Sequence, residues 1–539
     1  MAIKNVYDEL WQICQEFKSK TNLKTNYIEY ISALIYIYYV KEQNNLFLQL
    51  YEERNNYYIA ELVDRQLEEI RKIINDNKIF TNLNFRNLII HRGIGENRVL
   101  SFVILKLNNL FNDETIKKIM VANAYQEILE KVISLGEFVI DNREFYTPNS
   151  ITNLVAKLVL SKNNETIYDP CCGSGNFLIS AYNENKKVYG EERNISYYNI
   201  CKTNLLLNDI DSSNIKLNEY INNKIISDMK YDIVLSNPPF SDKDYIKNLD
   251  DEGEYLLYKY NLKSTSYGDY AILLKMLDSL NYNGKMAIIL PHGVLFRNSE
   301  REVRKELVEN GYIKAIIGLP ENLFFDNRLS VIIMVLSKEK SQENILFIDA
   351  SQEYLNLRKT YKIPDMSIKK IVTTYKNKKE ENGFSHIATK EEIRTNEYNL
   401  TIKKYIKKEI KLKSIDKNEI LKNISSLEKE KEILEEHIKD VLEVLGRKDI
   451  VNVKVKENEE EDQNKNYDFD YTVLGKNISK IRILKKYTIE QLAEKLDVSY
   501  RYLTRVEMGI ATPRMETLVK ICKVLGVQMN DLFINHDIR

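Results

Sequence analysis

The sequence predicts an α/β protein, with a mainly parallel sheet in the middle, a helical domain before it and an all-α module after it. Three observations carry that expectation. Between about 136 and 400, short apolar runs alternate with helical stretches, the pattern of strands joined by crossover helices. Residues 1–135 place apolar side chains at helical spacing and contain almost no glycine. From about 473 onward, short amphipathic helical patterns return after a polar stretch. The length of 539 residues leaves room for two to four domains, and 43% hydrophobic residues suffice for a sizeable core.

Composition narrows the class further. Lys+Arg and Asp+Glu both number 79, so the formal net charge is zero and no uniform basic coat is present. Basic and acidic regions can still cancel. The longest apolar run, Tyr30 to Val40, is too short to span a bilayer, and the first ten residues lack the apolar stretch of a signal peptide. Five cysteines in unpaired spacing read as reduced thiols, which points to the cytoplasm. The five histidines form no ligand-spaced set with them, so no metal site is expected.

In the helical N-terminal domain, 1–135, Leu10, Trp11, Cys14 and Phe17 fall on one helical face, and His91 to Asn97 reads as a turn. This part carries no chemistry and reads as a docking domain. In the domain that follows, 136–400, seven segments read as buried strands: 165–170, 187–192, 231–240, 285–291, 314–320, 330–336 and 344–350.

Four segments there carry chemistry. TIYDPCCGSGNFLISAY (166–182) is a strand, a glycine loop and a helix start, in which Gly173 and Gly175 allow close backbone approach to a ligand. Asp169 can accept a hydrogen bond from a cationic amino group. About 20 residues on, VYGEERN (188–194) puts Glu192 at a strand end, where a carboxylate can bind two ribose hydroxyls. LSNPPF (235–240) is a stiff strand exit whose Asn237 side chain and Pro238 carbonyl can face one exocyclic amino group, with Phe240 as a stacking ring. REFYTPNSITNLVAKLV (143–159) starts a helix that Thr147 can cap.

In this order the four segments resemble the adenine-N6 DNA methyltransferases, and more narrowly the modification subunits of type I restriction–modification systems. Further matches are GDYAILLKMLDSL (268–280), ILPHGVLFR (289–297), IGLPENLFF (317–325), ILFIDAS (345–351) and NEYNLTIKKYI (396–406). The resemblance covers about 1–445 and is strongest over 143–351. It implies a Rossmann-like sheet that binds S-adenosyl-L-methionine. Phe145, Tyr146, Thr147 and Pro148, with Asp169, Gly173, Ser174, Gly175 and Asn176, would hold the methionine part, and Glu192 the ribose. Asn218 or Glu219 would contact the cofactor adenine, and Glu219 is the residue expected. Asn237, Pro238, Pro239 and Phe240 would hold a target adenine flipped out of duplex DNA. Hydrogen bonds from N6 to Asn237 and Pro238 would bias that nitrogen toward sp3 character for in-line methyl transfer, without a covalent nucleophile. Pro170-Cys171 resembles the nucleophile of cytosine-C5 enzymes, but it sits in the cofactor loop and is not expected to act.

Residues 401–447 read as a Lys/Glu-rich coiled-coil helix. Ile420, Ile424, Leu427, Lys431, Leu434, Ile438, Val441 and Leu445 form its seam, and Gly446 is its C-cap. The seam can pair with another subunit or pack back on its own domain. Residues 448–472 read as an acidic flexible linker, with seven acids between 456 and 470.

The module 473–539 carries twelve Lys/Arg against seven Asp/Glu from Leu474 to Arg539. Its segment 487–533 resembles a helix-turn-helix of the Cro/repressor type. Thr488 would cap a helix that turns Leu492 and Ala493 inward, and Ser499 would cap the second. Tyr500, Arg501, Tyr502, Thr504 and Arg505 would project from the recognition helix into a major groove. The module could anchor the enzyme, target methylation or regulate its own promoter.

No phosphate-loop motif GxxxxGK[ST] occurs, so ATP-driven translocation is not expected here. No second base-reading domain is evident. The resemblance therefore implies a separate specificity subunit docked on 1–135 and on the helix near 415–445, two copies of this chain per complex, and a restriction subunit as a further partner. The competing readings are a methyltransferase of protein glutamine or RNA and a catalytically dead DNA-binding regulator. REFYTP and the terminal module argue against the first, and the set Asp169, Glu192 and Asn237 against the second.

Overall fold

The structure, a computed structural model, describes residues 2–40, 56–92, 98–138, 146–160, 166–183, 186–218, 229–242, 245–246, 251–263, 266–324, 330–339, 344–356, 361–406 and most of 471–532. It divides into two units, 1–411 and 412–539.

The first unit opens with helices α1 (Ala2–Thr21), α2 (Tyr27–Val40), α3 (Asn56–Ile73), α4 (Phe85–Arg92), α5 (Val99–Asn112) and α6 (Lys118–Ser134). Helix α2 is apolar around almost its whole circumference and is buried along most of its length. Such a helix needs partners on every side. One of them is α9 (Ile195–Leu207), which belongs to the sheet region and also packs on α6. The expected boundary near 135 is therefore no break in packing, because one apolar core runs from Leu10 through Ile28 and Val121 to Ile167, Ile233 and Ile333. A polar seam joins the same parts. Asn199 Oδ1 accepts from the Phe80 N–H at 2.7 Å, and Lys202 pairs with Asp76 at 3.0 Å, both ends nearly excluded from solvent.

The remaining helices and strands form a three-layer α/β/α sandwich. The strands are β1 (Thr166–Asp169), β2 (Lys187–Glu192), β3 (Ile215–Leu217), β4 (Tyr231–Ser236), β5 (Leu280–Pro291), β6 (Ile313–Gly318), β7 (Val331–Ser337) and β8 (Ile345–Asp349), followed by the small pair β9 (Leu355–Asn356) and β10 (Tyr361–Lys362), and then β11 (Ser385–Ala388). The main sheet runs β11-β8-β6-β7-β5-β4-β1-β2-β3. Strand β7 is antiparallel to β5 and β6, and β11 to β8; the other pairings are parallel. Alternate residues face the two cores. Ile233, Leu235, Ala287 and Ile289 point to the core shared with α1–α6, whereas Val234, Met286, Ile288 and Leu290 point to the opposite one.

All seven expected strands are present. The sequence reading missed β3 and β11, which are short edge strands, and the antiparallel direction of β7, which an apolar run does not encode. Residues 401–406 also differ from expectation. They do not begin the coiled-coil helix; Ile402, Tyr405 and Ile406 are buried on the sheet, with the Tyr405 ring stacked on Phe347 at 4.0 Å. The rest of the expected coiled coil, including the whole seam from Ile420, and the linker up to 470 lie outside the described residues.

Around this sheet lie α7 (Asn149–Val159), α8 (Asn176–Ala181), α10 (Asp251–Lys259), α11 (Gly268–Asp278), α12 (Arg301–Glu309), α13 (Asp365–Asn377) and α14 (Lys390–Thr395). In the second unit, α15 (Tyr471–Leu484), α16 (Ile489–Leu496), α17 (Tyr500–Glu507) and α18 (Met515–Leu525) enclose a core of Leu474, Ile478, Leu492, Leu503, Val506 and Ile521.

Candidate active site

The strand order reverses between β1 and β4: the chain runs outward through β2 and β3, then returns to continue on the other side. In open α/β sheets the ligand crevice lies at the carboxyl ends of the strands at such a point. Asp169 ends β1, Glu192 ends β2, and Ser236, just before Asn237, ends β4. Three of the four segments singled out in the sequence thus meet at one edge.

The loop after β1 is built to leave room. Gly173 and Gly175 have φ of +53° and +83°, a region disfavoured for side chains. A Cβ on Gly173 would meet nothing within 4 Å, whereas one on Gly175 would stand 2.9 Å from Cys201 Sγ. Gly173 therefore faces open space, and Gly175 allows the loop to lie on α9. The Ser174 carbonyl is held by Asn204 Nδ2 at 2.8 Å.

Asp169 is fully buried. Its Oδ1 accepts from the Ser236 hydroxyl at 2.7 Å and from the Cys171 N–H at 3.0 Å, which ties β1 to β4. Its Oδ2 is buried and has no hydrogen-bond partner among the described residues. Burial pushes the carboxyl up to about 7, although the bonds from Ser236 and Cys171 pull it down. Glu192 accepts from the Gly173 N–H at 2.8 Å on one oxygen and from the Asn194 N–H at 2.7 Å on the other.

The segment before α7 closes the group. Asn176 Nδ2 donates to Tyr146 Oη at 2.8 Å and lies 3.4 Å from the Thr147 carbonyl oxygen. Thr147 does not cap α7 as expected. Pro148 occupies the cap position without a side-chain bond, and the Thr147 hydroxyl instead accepts from Asn237 Nδ2 at 3.0 Å. The reason is position: Thr147 stands one residue too far upstream, next to the loop after β4. The Asn237 amide nitrogen is thus engaged with Thr147. Pro238 is buried, Pro239 half-buried, and Phe240 meets Phe324 edge to face at 6.3 Å between ring centroids.

The structure thus brings together Tyr146, Thr147, Pro148, Asp169, Gly173, Ser174, Gly175, Asn176, Glu192, Asn237, Pro238, Pro239 and Phe240. Phe145, Glu219 and Ser499 lie outside the described residues. Asn218 directs its side-chain amide to Glu191 Oε2 at 2.8 Å, so it serves the neighbour of Glu192 on β2. The sequence reading missed Phe324 and Ser236. The first lies in the quoted IGLPENLFF, where an aromatic after a strand exit was the available signal; the second precedes Asn237 and gave none. The Cys171 thiol is raised well above its ordinary range by burial and by Asp169 and Glu192, which suits an inert loop residue.

In the second unit, Thr488 and Gln491 form a reciprocal cap at the start of α16, with bonds of 3.2 and 2.9 Å. Leu492 and Ala493 are buried as expected. Tyr500, Arg501, Tyr502, Thr504 and Arg505 lie on α17; Tyr502 and Thr504 are half-buried and Arg505 is exposed. The end of α17 is anchored by Glu507, which takes two hydrogen bonds from Arg482, at 2.6 and 2.8 Å.

Residues 116–414 match the N-6 DNA Methylase family, and residues 478–532 match the Helix-turn-helix family. The chain is 30% identical over 329 residues to the type I restriction enzyme MpnII methylase subunit of Mycoplasma pneumoniae, covering 56% of this chain and 60% of that one. It is 34% identical over 313 residues to the type I restriction enzyme MjaVIII methylase subunit of Methanocaldococcus jannaschii, covering 53% and 54%. The matches thus span little more than half the length of these relatives. Its fold is similar to that of the type I restriction-modification system methyltransferase subunit from Streptococcus thermophilus, with a TM-score of 0.61 and 24% identity over 75% of this chain and 99% of that one.

Proposed function

This chain belongs to the N-6 DNA methylase family, and from that premise we propose that it is the modification subunit of a type I restriction–modification system. Its reaction is methyl transfer from S-adenosylmethionine to N6 of an adenine extruded from duplex DNA. The observation that carries the reading is the hydrogen bond from Asn237 to Thr147. It links the base-binding loop to the segment that Asn176 joins to the glycine loop.

The residues present suit the cofactor. The buried, unpartnered Asp169 Oδ2 is a ready acceptor for its amino group, and the open, left-handed Gly173 leaves space for its methionine part. Glu192, held in place by two backbone amides, would bind the ribose hydroxyls. S-adenosylmethionine, when bound, supplies an electrophilic methyl group. Everything else falls to this chain. Asn237 and the Pro238 carbonyl accept hydrogen bonds from the adenine amino group and orient its nitrogen. Phe240 and Phe324 wall the base. The gain is proximity and oriented electrostatics, with no side chain needed as nucleophile.

The site sequence is read by a separate specificity subunit docked on the helical part and on the segment 415–445, with two copies of this chain per complex. The terminal unit adds DNA binding through α17, for targeting or autoregulation. Tritium transfer from labelled S-adenosylmethionine to duplex DNA, with and without a co-expressed specificity subunit, tests the assignment. Asn237→Ala is expected to lose roughly 3 kcal/mol of transition-state stabilisation, as for one oriented polar group, with cofactor affinity retained. Near-wild-type methylation by that variant would sink the proposal.

A further inference from the structure

The backbone behind the base-binding loop carries one more inference, which rests on the methyltransferase reading. Ser241 follows Phe240 directly and has φ +55°, a left-handed conformation that costs free energy for a residue with a side chain. It is held from two sides. Its N–H donates to Asp269 Oδ1 at 2.7 Å, and its hydroxyl accepts from Arg297 Nη2 at 3.2 Å. Arg297 Nη1 in turn donates to Asp269 Oδ2 at 2.7 Å and to Glu300 Oε1 at 3.2 Å. Its guanidinium lies 4.4 Å from the centre of the Tyr267 ring. Asp269 and Glu300 are fully buried.

Two buried carboxylates around one guanidinium are a poor way to gain stability, since apolar packing of the same volume serves as well or better. The arrangement makes sense as a device that specifies geometry. Two glycines make room for it. A Cβ on Gly268 would stand 2.5 Å from the Asp242 carbonyl oxygen, and one on Gly293 would stand 2.8 Å from Arg297 Nε. Behind them, the buried Arg304 donates to the carbonyls of Val294, Arg297 and Tyr398, and the Leu400 N–H donates to the Leu295 carbonyl. The segments GDYAILLKMLDSL, ILPHGVLFR and NEYNL thus converge on the residue that leaves the base-binding loop.

The geometry points to Arg297 as a positioning residue for the base-binding loop, which it holds through Ser241 and Asp269 in the conformation that presents Asn237 and Phe240 to the adenine. The test uses the full chain with its specificity subunit, an adenine-containing duplex for methyl transfer, and a second duplex carrying 2-aminopurine at the target position for base extrusion. Because Arg297→Gln alone strands two buried carboxyl groups, the main variant is the charge-free triple Asp269→Asn/Arg297→Gln/Glu300→Gln, with Ser241→Ala as a milder one. The triple is expected to bind S-adenosylmethionine within about twofold of wild type but to transfer methyl about 30- to 100-fold more slowly in a single turnover, as misplacement of a reacting group does. The 2-aminopurine fluorescence increase on binding falls in parallel. Ser241→Ala slows transfer severalfold at an unchanged melting temperature, and Arg297→Lys recovers part of the loss. A charge-free triple with wild-type rate and fluorescence overturns the inference, as does a loss of rate matched by an equal loss of cofactor affinity. A wild-type complex that methylates no adenine overturns the methyltransferase reading itself.

Discussion

Asp169 shows how a single buried carboxyl group makes stability depend on pH. Its carboxyl is raised from an ordinary carboxylate value to about 7, chiefly by burial. Between those values the folded protein binds a proton that the unfolded chain has released, so the contribution of this group to stability is full at acid pH and is lost as pH rises through about 7. Two outcomes are expected. In ligand-free protein, Asp169→Asn raises the melting temperature at pH 8, because an unpartnered buried charge costs about 1–3 kcal/mol or more. The same variant weakens S-adenosylmethionine binding. In wild type, affinity measured by calorimetry rises from pH 5.5 toward 7 as Asp169 ionises, and the variant shows a flatter profile. In the terminal unit, Arg505 is exposed on α17. Arg505→Ala is expected to lower DNA affinity and to reduce the slope of log K against log salt by about 1, if it meets a phosphate.

At the scale of elements, each helix and strand is placed by local chemistry that was legible in advance to different degrees. The cap of α16 by Thr488 could be read directly, since a capping box needs only the right residues at the right spacing. Thr488→Ala should destabilise the terminal unit by about 1 kcal/mol, seen as earlier loss of DNA binding on heating. The strands with continuous apolar runs were equally legible. Residues 401–406 were not. They were expected to begin the Lys/Glu-rich coiled-coil helix, while Ile402, Tyr405 and Ile406 meet the sheet. Gly475 on α15 illustrates a constraint of the same kind. A Cβ there would stand 2.4 Å from the Val506 carbonyl oxygen on α17, a contact that no spacing rule reveals.

For the whole molecule, the shared core predicts cooperativity. Helices α1–α6 and the sheet bury one another through α2 and α9, so unit 1–411 should melt in a single calorimetric transition rather than as a helical domain and a catalytic domain in turn. Lys202→Met leaves the half-buried Asp76 beside α9 without its cation and should destabilise that single transition by about 1–3 kcal/mol. Truncation after residue 470 should leave methyl transfer by the complex intact while weakening DNA binding and its salt dependence. Retention of full DNA affinity would remove the role given to the terminal unit.

By itself the sequence determined the class of the sheet, the residues of the candidate site and the helix-turn-helix pattern, because each depends on residue type at fixed local spacing. Asp169, Glu192 and Asn237 announce themselves as polar residues at strand ends. Tertiary structure alone decided what joins them. The partner of Thr147 is 90 residues away in Asn237, the clamp on Ser241 comes from Asp269 and Arg297, and one partner of α2, the helix α9, lies beyond the expected domain boundary. Long-range hydrogen bonds and shared cores depend on which elements the chain brings together, and that information is carried by packing rather than by any periodicity in the chain.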